Sequence, residues 1–244
     1  MLTIEDKILA LVKMANPEDP VEYTQNIVKN YALEKINENI KICSKCDLCQ
    51  NGIKSIGYGD TSSKILIICD DVSLEQYNKG NRITLPMMDS DGETFDRALS
   101  VINANKKALY MINAVNCFPK RNDNNNTSKR IPSVIERTMC RNHIDKIIKS
   151  LDPSVIITLG SIASNALSPN KISIMESRGQ EFNYNGYIVV PTFHPSFFRE
   201  MQNKFDEEMM NFYKDNFLRD LYTAFTIALA DNPECGIGNI KLPF

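Results

Sequence analysis

Cys43, Cys46 and Cys49 stand in the spacing C-x2-C-x2-C. Thiolates two residues apart can reach one metal centre from a single turn, so the spacing points to metal or redox chemistry. Cys117 and Cys140 are candidates to complete a ligand shell. Cys69 ends an apolar run and reads as a buried small hydrophobe, and Cys235, in a glycine-containing tail, reads as unliganded. The total of seven cysteines is odd, in a chain too large to read as a disulfide framework.

His194 is one of two histidines and lies in Thr192-Phe193-His194-Pro195-Ser196. Pro195 forces a turn that would hold the imidazole beside the strand before it. His143, beside Cys140 in a helical stretch, reads as structural or surface. Asp70 and Asp71 follow the apolar run Lys64–Cys69. They are either turn-forming acids or carboxylates that orient and deprotonate water. Asn113 ends a second apolar run, and its amide offers both a donor and an acceptor to a base edge.

These residues need elements to position them. Helical periodicity runs over residues 3–15 and 20–41, with Pro17 and Pro20 between. Lys64–Cys69, Ala108–Asn113, Val155–Leu159 and Tyr187–Pro191 read as short buried strands. Thr94–Ile102, Ser133–Leu151, Ser161–Leu167 and residues 204–230 read as helices. The alternation predicts an α/β fold, a three-layer α/β/α sandwich around a mainly parallel four-stranded sheet. Ligands of such sheets bind beyond the carboxyl ends of the strands. Three places then matter most: Cys69–Ser73, Asn113–Cys117 and Thr192–Arg199. Residues 121–130 (RNDNNNTSKR) bury no apolar surface and are expected to form a mobile loop.

The composition excludes several classes. Hydrophobic residues make up 43% and charged residues 24% of 244, which is ordinary for a globular chain and rules out collagen, a coiled-coil rod or wholesale disorder. No apolar run is long enough to span a bilayer, and the acidic start does not read as a secretion signal, so a cytoplasmic location is expected. Net charge is −2, so any nucleic-acid contact must be local; Lys120, Arg121, Lys129 and Arg130 form the one basic cluster, which also reads as a solvated loop.

From Cys43 to about Ala230 the motifs and their order resemble the iron–sulfur type of uracil-DNA glycosylase, family 4 of that superfamily. The pieces are C-x2-C at Cys43 and Cys46, GYGD at Gly57–Asp60, the strand KILII, and NAVNCFPKR at Asn113–Arg121. Then follow ERTMC ending at Cys140, DPSVIITLGSIA at Asp152–Ala163, RGQEF at Arg178–Phe182 and VVPTFHPSFFR at Val189–Arg199. The resemblance implies excision of uracil from DNA and a [4Fe–4S] cluster on Cys43, Cys46, Cys117 and Cys140, with Cys49 spare and zinc as the other metal that suits four thiolates. It implies Asp70 or Asp71 as the water-directing acid and His194 as the donor to the departing base. Asn113, Met87 and Ser196 would contact the base. Phe197, Phe198, Arg199, Lys129 and Arg130 would contact DNA, with a phenylalanine wedge filling the vacated stack. The two phenylalanines equally suit a core position at a helix start.

The chain departs from the family pattern at two site motifs. Cys69-Asp70-Asp71-Val72-Ser73 stands where the family has G-E-A-P-G, and Met87 stands where an aromatic stacks on uracil. The loop between Cys117 and Cys140 is longer than usual and carries no histidine, so the covalent capture known from a DNA-crosslinking branch is not expected. Two other functions stay open: an inactive or altered-base DNA-binding accessory protein on the same fold, and a plain iron–sulfur carrier.

The chain divides into a helical segment over 1–42, the α/β domain over 43–230 and a tail over 231–244, and a monomer is expected. The tail ends Asn239-Ile240-Lys241-Leu242-Pro243-Phe244. It reads either as a tethered peptide that docks on a sliding clamp or as a segment folded back onto its own domain.

Overall fold

The apolar strands assemble around Ile65–Asp71, which pairs in parallel with a strand on each side. The computed structural model describes residues 6–7, 10, 12–13, 20–123 and 126–243. The helix expected over 3–15 lies largely outside these residues. Helix α1 spans Pro20–Lys41, as the periodicity predicts. Short strands β1 (Lys54–Ser55) and β2 (Tyr58–Gly59) lead into β3 (Ile65–Asp71). Helix α2 (Leu74–Asn78), β4 (Ile83–Thr84) and α3 (Ser90–Val101) follow, then β5 (Leu109–Val115). Strand β5 runs two residues past the predicted end, so Asn113 sits inside the ladder and not at its tip.

The sheet has six strands where four were expected, in the order β2-β5-β3-β8-β10-β9. The later members are β8 (Val155–Leu159), β9 (Phe182–Tyr184) and β10 (Tyr187–Thr192). The four central strands are parallel, with Ile65 opposite both Leu109 and Val155, and Ile188 opposite Val155. The additional strands are the antiparallel edges β2 and β9. Strand β9 hairpins into β10 through Asn185 and Gly186, whose φ values of 52° and 95° are those of a two-residue hairpin turn. That Asn-Gly pair is a sequence signal for the missed strand.

Each face of the sheet carries helices, which makes three layers. One face packs against α3 and the long helix α8 (Glu207–Asp231), through Phe95, Leu99, Phe217, Leu221 and Phe225. The other packs against α1, α4 (Val134–Leu151) and α5 (Ser161–Leu167), through Leu33, Ile40, Ile144, Ile148 and Ala163. Helix α4 begins with a capping box, in which the Ser133 hydroxyl accepts from the Glu136 N–H and the Glu136 carboxylate accepts from the Ser133 N–H. Short helices α6 (Ile174–Ser177) and α7 (Ser196–Met201) flank β9 and β10. Among the described residues no helix is long and apolar enough to cross a membrane.

The stretch expected to be a mobile loop is an antiparallel hairpin instead. Strands β6 (Lys120–Asp123) and β7 (Asn126–Lys129) pair with Lys120 opposite Lys129. Its composition is polar, but a hairpin needs no buried face if its root is tied down. The Arg130 N–H donates to the Pro119 carbonyl at 2.9 Å, and the Arg130 guanidinium takes both Glu136 oxygens, at 2.6 and 2.8 Å.

The end of the chain lies along α3. The Asn105 N–H donates to the Ile237 carbonyl at 2.7 Å and the Lys241 N–H to the Ile102 carbonyl at 3.0 Å. Ile237 is fully buried, while Ile240 and Leu242 are partly buried on the same core. Phe244 lies outside the described residues. Deleting residues 239–244 is expected to lower the melting temperature by about 4–8 °C, since two half-buried aliphatic side chains stabilise by about 2 kcal/mol. An unchanged melting temperature would favour the clamp-docking reading of the tail.

Candidate active site

Strand alternation decides which strand-end residues meet. Ile65, Ile67 and Cys69 face α3 and α8, whereas Leu66 and Ile68 face α1 and α4. Continuing the period of two sends Asp71 to the α3 face and Asp70 to the other. On β5, Asn113 lies opposite Cys69 and faces the same way as Leu109 and Met111. A cavity of about 380 Å³ opens there, lined among others by Asp71, Met87, Asn113, Lys129, His194 and Ser196. That size suits a small-molecule or nucleotide fragment.

The two aspartates are thereby separated. The Asp70 carboxylate accepts the Ala163 N–H at 2.8 Å, in the first turn of α5. Gly160, at φ 95°, makes room for it, because a Cβ there would stand 2.5 Å from Asp70 Oδ2. Burial, then the neighbouring Asp71 charge, push Asp70 up to about 7. Asp71 is buried in the cavity wall, and its Oδ1 pairs with the Lys129 ammonium at the end of β7. Burial pushes Asp71 up to about 6, against the pull of Lys129.

His194 is held by the turn that follows it. The Ser196 N–H donates to His194 Nδ1 at 3.2 Å, and the Ser196 hydroxyl lies 3.0 Å from the same nitrogen. A backbone N–H can only donate, so Nδ1 is the acceptor and the ring proton sits on Nε2. Burial, with smaller contributions from Lys129 and Arg199, brings the imidazole down to about 3. It is therefore a neutral N–H donor at physiological pH. Asn113 is 1% exposed and its Nδ2 has no hydrogen-bond partner among the described residues. Leaving a buried amide donor unpaired costs about 1–3 kcal/mol, an expense characteristic of groups kept for a ligand. Met87, at φ 58°, forms a buried part of the wall, and its carbonyl fills the space that a Cβ on Gly92 would need.

The expected DNA-contacting residues disperse. Phe197 stacks on Phe193 with centroids 4.5 Å apart and packs edge-on to Tyr213; Phe198 packs on Phe217. Both belong to an aromatic cluster, so a wedge role would require them to leave it. Arg130 is committed to Glu136 at the hairpin root. Arg199 sits on the rim, where it donates to Ser90 Oγ at 2.9 Å and pairs with Asp91. Lys129 points into the cavity.

One supporting group escaped the sequence reading. Asp220 on α8 accepts from Arg178 Nε at 2.7 Å and from the Thr192 hydroxyl at 2.6 Å. It anchors the end of β10 just before His194. Arg178 lies in a quoted motif, but no local signal links it to an acid forty-two residues later.

A second, smaller cavity collects the cysteines. Cys43, Cys46, Cys49, Cys117 and Cys140 line it together with Lys54 and His143. Burial pushes the thiols of Cys117 and Cys140 up to about 11 and 12. Lys54 Nζ donates to the Cys43 carbonyl at 2.7 Å and lies 3.4 Å from Cys117 Sγ. His143 is buried, not on the surface, and neither ring nitrogen has a hydrogen-bond partner among the described residues. Among those residues no three Cys, His, Asp or Glu side chains close on one point as ligands of a single ion do. The side chains around this cavity are sulfur and nitrogen donors of the kind that hold thiolate-ligated metal. Buried thiols and an unpartnered imidazole around one cavity are the matching chemistry.

Comparison with known proteins finds relatives of this chain. Proteins named type-4 uracil-DNA glycosylase match from Sulfurisphaera tokodaii, Saccharolobus solfataricus and Pyrobaculum aerophilum. Each is 25% identical to this chain; the matches cover 67–68% of it and 74%, 76% and 83% of the three relatives. The family model of the uracil DNA glycosylase superfamily matches residues 56–221, which takes in the sheet and every residue of the larger cavity named above. The chain belongs to the uracil DNA glycosylase superfamily.

Proposed function

We propose that the protein excises uracil from DNA by hydrolysing the N-glycosidic bond. The observation that carries this is the buried, unpartnered Asn113 amide in one cavity with a neutral imidazole donor and a carboxylate. DNA binds through its phosphates, and the deoxyuridine leaves the stack at a cost of a few kcal/mol. Asn113 pairs with the edge of the flipped base. As the bond from C1′ to N1 lengthens, negative charge grows on the pyrimidine, and His194 Nε2–H donates to its oxygen. A neutral donor does this without first losing a proton. Asp71 aligns a water for attack at C1′; the water oxygen bonds to carbon, the base leaves as an anion, and the surplus proton passes to the carboxylate. Asp70 is tied to α5 and serves the shape of the strand end.

Cys43, Cys46, Cys117 and Cys140 would hold a [4Fe–4S] cluster. When bound, it supplies a covalent cross-link between the segment after α1, the segment after β5 and helix α4. Cys49, on the same cavity, is the spare.

Four measurements bear on this reading. Single-turnover excision from uracil-containing oligonucleotides should fall about 10²-fold or more in His194→Ala, with DNA affinity nearly unchanged. Asp71→Asn should cost more than Asp70→Asn in rate, while Asp70→Asn should cost more in melting temperature. A wild type that releases no base from any uracil substrate would favour the accessory-protein reading. The acid limb is the third check. Asp71 must be ionised to act, and its carboxyl lies near 6, so the rate should fall as pH drops through that value. Finally, anaerobically purified protein should be brown, with about four irons per chain. Cys117→Ser or Cys140→Ser should lose iron and solubility together, whereas Cys235→Ser should not. A colourless protein with one zinc would overturn the cluster.

A further inference from the structure

We infer that Lys129, carried into the cavity by the inserted hairpin, is a positioning residue for the hydrolysis: its ammonium holds one oxygen of the Asp71 carboxylate and leaves the other for the attacking water. The inference rests on the glycosylase reading of the site and assigns to the hairpin a part in it.

Three observations support it. The Asp71 side chain has no solvent exposure, and Lys129 Nζ is paired with its Oδ1. Both Asp71 oxygens are buried, and apart from the Lys129 ion pair at Oδ1 neither has a hydrogen-bond partner among the described residues. The hairpin that delivers Lys129 is fixed at its root, where residue 130 is clamped to Glu136 and hydrogen-bonded to Pro119. Lys129 is thus set down at one place, next to a rigid anchor.

The electrostatics require such a group. A carboxylate removed from water goes neutral unless a cation faces it. The other charged and titratable groups around the cavity are Cys69 and Asp70 on the same strand, Glu75 on α2, Asp89 and Asp91 at the head of α3, and His194, Arg199 and Glu200 after β10. Five of these are carboxylic acids, which favour the protonated form. His194 is neutral, and Arg199 is committed to Asp91. Lys129 is the cation paired with Asp71 itself.

The test is the pH profile of single-turnover uracil excision for wild type, Lys129→Met and Lys129→Arg. Lys129→Met should lose about tenfold or more at neutral pH and move its acid limb up by about one unit or more, because the unpaired carboxyl holds its proton longer. Lys129→Arg should return the limb toward its wild-type place. A loss of rate with an unmoved limb would mean a purely structural role and would overturn the inference. So would an unchanged rate, and so would a faster Lys129→Met, which would make the lysine a stopper. A second measurement needs no activity: the Asp71 carboxyl carbon, labelled with ¹³C, is titrated by NMR in wild type and Lys129→Met without DNA. An upward move of its midpoint in the variant is expected, and coincident titrations would overturn the inference. If the wild type proves inactive on uracil while this shift is present, the glycosylase reading fails and the hold of Lys129 on Asp71 stands.

Discussion

The parallel pairing of β3 with β5 fixes the position of everything that could act on a substrate. Cys69 lies opposite Asn113, and Asp71 opposite Val115. A slip of β5 by one residue would send Asn113 to the α4 face, and a slip of β3 would exchange the faces of Asp70 and Asp71. The pairing is enforced by the apolar runs on both strands. Ile67 and Met111 fill one layer, while Leu66 and Tyr110 fill the other, and all are essentially inaccessible. A slip would therefore have to turn two full layers of core inside out. The geometry of the cavity is a consequence of hydrophobic alternation carried two or three residues beyond the core.

Burial also sets the chemistry. For Asp71 and His194 alike, desolvation is the largest cause of the shift, and it moves each group toward neutrality. For the imidazole this is useful without correction, since a neutral donor is what a developing anion needs. For the carboxylate it is a hazard. The signs in stability differ too. His194 binds a proton more weakly folded than unfolded, so it favours folding as pH rises from about 3 through 6.5. Asp70 and Asp71 bind protons more tightly folded, so their contribution is present at low pH and is lost as pH rises through about 6 to 7. The site's own groups thus oppose each other across the acid range.

Much of this was legible in the sequence, and the limits have physical causes. The four central strands and their helices announce themselves through apolar runs and caps, such as Ser133 three residues before Glu136. The gathering of Asp71, Asn113 and His194 follows from parallel strands ending on one edge. The edge strand β2 is two residues long and leaves no periodic pattern to read. The pairing of β6 with β7 was opaque for a different reason. The root of the hairpin is fixed by an ion pair and a backbone hydrogen bond, and composition registers neither. Lys129 therefore read as a DNA contact or part of a solvated loop, although its partner is a carboxylate on β3. Phe197 and Phe198 kept two readings, because a helix start beside a site suits a wedge as well as a core. The surrounding aromatics on α8 decide where they rest.

The adjacent aspartates show how one strand end can hold two buried acids. Side by side on the same face they would repel each other. Alternation puts them on opposite faces, and each face supplies a different kind of positive potential. Asp70 meets the N–H groups of α5, which are fixed partial charges that cannot move or dissociate. Asp71 meets a whole charge on a side chain that is partly exposed to water. The first arrangement makes a rigid structural anchor. The second leaves the carboxylate responsive, because its ionisation depends on one amine that lies beside the cavity mouth. An acid required to take up a proton during each turnover belongs in the second setting, and an acid required to hold a strand to a helix belongs in the first. The proposed division of labour between Asp70 and Asp71 therefore rests on the pleat of β3 and on what each neighbouring layer can offer.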